Sequence, residues 1–178
     1  LKETCLRSET TVKVFDQMRK LQGFTDEGSP GRDWNVATGM VIEGKAGFQI
    51  MGDWAKGEFT AAGKVPGVDY YCAATPSNNG YLYNVDSFIF YKTSDPDKQA
   101  GQKLLAKLMM GKNFQKVFNL YKGSIPARLD VPMDEFDKCA KTSNSDIKTT
   151  GASGGLVPSF AHGMAQVNTM KAALQDVI

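Results

Sequence analysis

These residues predict an α/β or α+β domain, with short strands in one small sheet and helices layered around it. Three features lead there. Apolar residues recur at helical spacing over most of the chain. Between those segments lie brief runs rich in aromatic and β-branched residues, such as "YYCAATP" and "YLYNVDSFIFYK". Aspartates and glycines stand where the segments begin and end.

In chain order, "SETTVKVFDQMRKLQGF" puts Val12, Phe15, Met18 and the adjoining Leu21 at helical spacing, with Gly23 as the stop. "TDEGSPGRD" is a loop. Asp33 is expected to cap a helix through "WNVATGMVIEG", with Trp34, Ala37 and Val41 on one face and Gly44 past its end. A short strand is expected from Phe48 to Met51. Asp53 is then expected to cap a helix that starts at Trp54 and ends near "GKVPG". "YYCAATP" reads as a buried strand and "SNNG" as a turn. "YLYNVDSFIFYK" reads as a second strand, with a break at Asn84–Ser87.

Asp95 caps the next helix and Pro96 occupies its first turn. It runs to Met110, with Leu104, Leu105, Leu108 and Met109 as its apolar face. The helix after Asn113 is expected to turn Phe114, Val117, Phe118 and Tyr121 inward and to stop at Gly123. "SIPARLDVP" is extended, as its prolines require. Met133 to Thr142 is expected to be helical, "TTGASGGLVPS" to be a flexible link, and a last helix to start near Ser159.

Composition narrows the function. The 178 residues are 42% hydrophobic and 22% charged, as in ordinary globular chains. Net charge is +2 and the 21 basic residues are scattered. No basic stripe carries interleaved aromatics, which argues against nucleic acid. No apolar run approaches the roughly 18 residues of a membrane span, and no secretory apolar region stands at the start. The chain opens at Leu1 and closes at Ile178 inside an amphipathic segment, as expected of a fragment or a processed product. Its cysteines are Cys5, Cys72 and Cys139. No Cys-x-x-Cys is present and the sole histidine is distant, which argues against zinc. Scattered thiols of this kind are usually just buried.

No catalytic motif is present: no G-x-S-x-G, P-loop, H-E-x-x-H or G-x-G-x-x-G. Asp53 and Glu58 make a poor glycosidase pair, since five residues apart at a helix start they point in different directions. The residues at element ends are more telling. Trp34 and Trp54 each follow an aspartate at a helix start. Asn84 and Asp86 interrupt an aromatic strand. Lys122 precedes a helix-ending glycine, and His162 lies in "PSFAHG". Each has a plain structural use: core packing, a cap, a turn, a solvated lysine. Together they suit a sugar, whose apolar face stacks on indole while fixed polar groups take its hydroxyls.

A resemblance sharpens this. "GRDWNVATGMVIEGKAGFQIMGDWAKGEF", "YNVDSFIFYK", "YKGSIPARLDVPMDEFDKCAK" and "LVPSFAHGMA" resemble, in order, the carboxyl-terminal half of periplasmic glucose/mannose-type solute-binding proteins. These belong to extracellular solute-binding family 1 and deliver sugar to ABC importers. The resemblance covers roughly residues 9 to 178. It implies an α/β lobe of the type II periplasmic-binding-protein kind, with the amino-terminal lobe outside this chain. It implies that Trp34 and Trp54 wall the sugar, and that Asn84, Asp86, Lys122 and His162 bond its hydroxyls. It also implies a Cys72–Cys139 disulfide, hence an oxidising compartment, the periplasm. No metal or organic cofactor is implied. The implied partners are a monosaccharide, glucose before mannose or galactose, and the membrane subunits of an ABC importer. Self-association of a lone lobe is a further expectation. Two rival readings are a glycoside-processing enzyme using Asp53 or Asp86 with His162, and a protein-interaction module with exposed aromatics.

Overall fold

The computed structural model describes residues 7–76 and 80–159. The chain divides into two compact units, one formed by Leu1–Asp33 with Gly163–Ile178, the other by Trp34–His162. Cys5, His162 and the expected final helix lie outside the described residues.

The described part of the first unit is helix α1, Glu9–Gln22, and the loop after it. The Ser8 hydroxyl accepts from Thr11 N–H and Gly23 closes the helix, as "SETT" and "LQG" require. Phe15 and Met18 are half-buried, whereas Val12 and Leu21 are exposed. In the loop, Arg32 grips Asp26 with both guanidinium nitrogens. That fork holds the exposed Asp26 carboxyl down at about 2.

The second unit carries the rest. Helix α2 is Trp34–Ile42. A 3₁₀ turn, Asp53–Ala55, leads into helix α3, Lys56–Ala61. Strand β1 is Tyr81–Tyr83. Helix α4, Pro96–Met109, is capped by Asp95 through Asp97 N–H and Lys98 N–H, with proline in its first turn. Helix α5, Lys112–Lys122, stops at Gly123, whose φ of 86° is left-handed. Helix α6, Lys138–Ala152, is capped by Asp137. Strand β2, Leu156–Pro158, lies parallel to β1, with Tyr81 opposite Leu156 and Tyr83 opposite Pro158. Helix α6 packs on both strands, α3 on α2 and α5, and α4 on α5. None of the described helices is long and apolar enough to cross a membrane.

The strand expectations fail for one shared reason. Phe48–Met51 and "YYCAATP" are extended or irregular and join no sheet; only the bridge Pro66–Tyr70 forms nearby. The second strand stops at Tyr83, and Ser87–Lys92 is irregular. A strand persists only where a neighbour takes its backbone groups. Among the described residues β1 has one such neighbour, β2, which is three residues long. The helix expected at Met133–Thr142 instead begins at Lys138, because Asp137 caps it through Ala140 N–H. It runs on to Ala152, into the start of the stretch read as a flexible link, whose end forms β2.

The core is small. Val131, Phe136 and Ala140 are buried, with Leu120, Ile125 and Met133 against them. Ala55, Phe59 and Met109 are buried as well. The face of α5 expected to point inward largely does not, and the apolar face of α4 is mostly exposed as well. Leu104 is 71% exposed, Leu108 58% and Tyr121 80%. Two longer-range ties supplement the core. Cys72 and Cys139 are joined by a disulfide across 67 positions. Lys56, almost fully buried, reaches Asp137 at 2.6 Å and so pins α3 to the cap of α6.

Candidate functional site

The site begins with how two indoles are held. Trp34 opens α2, and its carbonyl accepts from the Gln49 side-chain amide at 2.9 Å. The fully buried Thr38 hydroxyl lies 2.9 Å from the same carbonyl and 2.8 Å from Gln49 Oε1. This clasp fixes the first turn of α2 against the segment before Asp53. Trp54 folds back over Gly52: a Cβ there would stand 2.0 Å from Trp54 Cζ3, so no other residue fits.

Asp53 is not the side-chain cap that the sequence predicts. It lies inside the 3₁₀ turn, with Gly52 at the cap position. Its carboxylate accepts from Ile125 N–H at 2.8 Å, far along the chain. Burial raises its pKa, while the Ile125 N–H, Lys56, Ser124 and Lys122 pull it back. Asp53 therefore ties the Trp54 turn to the loop after α5.

The end of α5 meets the start of α3 backbone to backbone. A Cβ on Gly57 would lie 2.8 Å from the Lys122 carbonyl oxygen, and one on Gly123 would lie 2.6 Å from Gly57 N. Two glycines thus set where Lys122 emerges. Its ammonium reaches Asp86 Oδ2 at 2.5 Å and lies 5.8 Å from the centre of the Phe118 ring. Asn84 Nδ2 donates to Asp86 Oδ1 at 3.2 Å. Asn84 and Asp86 hang from the carboxyl end of β1, whose hydroxyl-bearing Tyr81 is tied to Ser143 of α6 at 2.6 Å.

These pieces close on an open cleft of about 550 Å³, lined by Trp34, Trp54, Gly57, Glu58, Asn84, Asp86, Tyr121 and Lys122. Five of the six expected binding residues, Trp34, Trp54, Asn84, Asp86 and Lys122, therefore lie around one cleft; His162 falls outside the described residues. These five residues pair two flat apolar rings with a carboxylate, an amide and an ammonium, the chemistry that a polyol with one apolar face requires. Asp53 is absent from the lining, which removes it from the glycosidase pairing with Glu58.

Sequence reasoning did not assign three of the lining residues, Gly57, Glu58 and Tyr121, to the site. Glu58 follows Trp54 by four positions, the helical spacing that puts both on one side, and that signal was legible. Tyr121 was assigned to a buried face, but it is exposed beside Lys122. It also borders an apolar surface formed with Phe114, Val117 and Phe118.

The model of the bacterial extracellular solute-binding protein family matches residues 1–144. The chain belongs to that family. A probable sugar-binding periplasmic protein of Brucella suis is 47% identical over 174 residues, covering 97% of this chain and 41% of the relative. A protein of the same description from Rhizobium meliloti is 44% identical over 179 residues, covering 100% of this chain and 43% of the relative. A xylose/arabinose-binding protein of Haloferax volcanii is 30% identical over 137 residues, covering 74% and 28%. The chain thus spans about two fifths of the length of the first two relatives. The family is described by binding rather than by a reaction, which fits a non-enzyme.

Proposed function

We propose that this chain supplies one wall of a cleft that binds a monosaccharide, glucose foremost, for delivery to an ABC-type importer. It corresponds to the carboxyl-terminal lobe of a two-lobe periplasmic binding protein. The observation that carries the reading is the gathering of Trp34, Trp54, Asn84, Asp86 and Lys122 around one cleft from four separate stretches of chain. The sugar's apolar face stacks on the indoles. Asp86 accepts from hydroxyls, Lys122 donates to them and Asn84 does both. A hexose that orients a hydroxyl wrongly leaves these groups unpaired, which is how such a wall discriminates. His162 completes the polar set in this reading. The names of the Brucella and Rhizobium relatives support a sugar and the periplasm, and the Haloferax name adds pentoses as competing ligands. Closure of a second lobe over the sugar would then signal the membrane subunits.

One wall alone buries only part of a sugar, so the 178-residue chain is expected to bind glucose weakly, in the millimolar range. Its only two tryptophans both line the cleft, so intrinsic fluorescence reports on the site directly. Titration with glucose should give a saturable change that Trp54→Ala and Asp86→Ala each diminish. Micromolar or tighter binding would refute the single-wall reading. A flat titration over the millimolar range would refute the sugar site.

A further inference from the structure

One carboxylate in the cleft has no task in the reading above. Glu58 lines it beside Trp34, Trp54 and Tyr121. Its side chain is exposed, and among the described residues no ion pair or hydrogen bond engages its carboxylate. Asp86, by contrast, is neutralised by Lys122 at 2.5 Å. Among the described lining residues there are thus two carboxylates and one ammonium, and that ammonium is already engaged by Asp86. A structural use for Glu58 is weak. It stands in the first turn of α3, but that helix is six residues long, too short for a large dipole.

A carboxylate in this position treats ligands by charge. A neutral polyol donates a hydroxyl proton to it. An ammonium pairs with it. A ligand carboxylate is repelled and leaves Glu58 without a donor. We propose that Glu58 sets the charge specificity of this cleft, admitting neutral and ammonium-bearing hexoses and excluding hexoses that carry a carboxylate. The proposal rests on the sugar-site reading above and adds the class of sugar to it.

The test uses the 178-residue chain and its Glu58→Gln variant, titrated with D-glucose, D-glucosamine and D-glucuronate under the same tryptophan readout. The exposed position of Glu58 leaves the core untouched, and a matching thermal melt verifies the variant's fold. In the parent chain, glucosamine should bind at least as well as glucose, and glucuronate roughly fivefold or more weakly, the factor that one nearby charge gives in a wet cleft. Glu58→Gln should erase most of that gap by strengthening glucuronate, with glucose changing less. A glucose-to-glucuronate ratio identical in both proteins would overturn the proposal and leave the sugar site standing. No saturable response to glucose in either protein would overturn the sugar site, and the proposal with it.

Discussion

Asp53 illustrates how one side chain can be legible in type and misread in partner. An aspartate before a helix reads as a cap, and local sequence cannot reveal an acceptor site for Ile125 N–H across the fold. Its energetics follow from burial. Its folded pKa is raised, so the folded chain holds that proton more tightly than the unfolded chain does. The resulting stabilisation is fully present below the ordinary carboxylate value and is lost as pH rises through the raised one. Asp53→Asn keeps an acceptor for Ile125 and removes the charge, so its urea-unfolding stability should vary less than the parent's between acid and neutral pH. Asp53→Ala orphans the Ile125 N–H and should cost about 1–3 kcal/mol at neutral pH. Equal stability of the alanine and asparagine variants would contradict this account. Tyr70 is a contrasting case. It stacks on Phe59 with ring centres 4.1 Å apart, and among the described residues its buried hydroxyl has no hydrogen-bond partner. Burial first, and Asp137 second, push its pKa up to about 12.

Between elements, the decisive contact is the one with no side chains in it. Gly57 and Gly123 let α3 and the end of α5 touch through their backbones. Gly57→Ala drives a Cβ into the Lys122 carbonyl. Gly123→Ala adds a forbidding left-handed φ to a clash with Gly57 N. Each should cost about 1–3 kcal/mol in thermal or urea unfolding and weaken the glucose response, because Lys122 and Trp54 separate. Gly101→Ala, where a Cβ meets nothing, is the control and should be neutral or slightly stabilising. Some helix ends were legible: Asp95–Pro96 announced α4, and Gly123 closed α5 where the sequence placed it. The strands were not. Whether "SFIFYK" becomes a strand depends on a neighbour, and period-two patterning says nothing about whether one exists. The inward face expected on α5 failed similarly, since periodicity marks an apolar stripe and not what covers it.

The molecule as a whole relies on ties outside its small core. The Cys72–Cys139 bond closes a long loop that contains α4, α5 and β1. In the chain-entropy model such closure is worth about 4 kcal/mol, less any native strain. Replacing both cysteines with alanine should therefore lower unfolding stability by up to roughly that amount. Unchanged stability would show that the loop is already restrained in the unfolded chain. Of the candidate cleft, the sequence exposed the residue types and their order. It hid their meeting, which depends on the clasp of Gln49, the Gly57–Gly123 approach and the Asp86–Lys122 pair.

The placing of Asn84 and Asp86 depends in turn on the pairing of β1 with β2. Asn84 and Asp86 leave the end of a strand whose ladder partner, Leu156–Pro158, is synthesised only after three further helices. During translation, Trp34 and Trp54 emerge long before the segment that anchors the polar half of the cleft. A nascent chain halted short of Leu156 would carry both indoles, with Asn84 and Asp86 not yet held by the ladder. The ability to recognise a ligand would therefore arrive late, near the end of this stretch of chain, rather than accumulate along it.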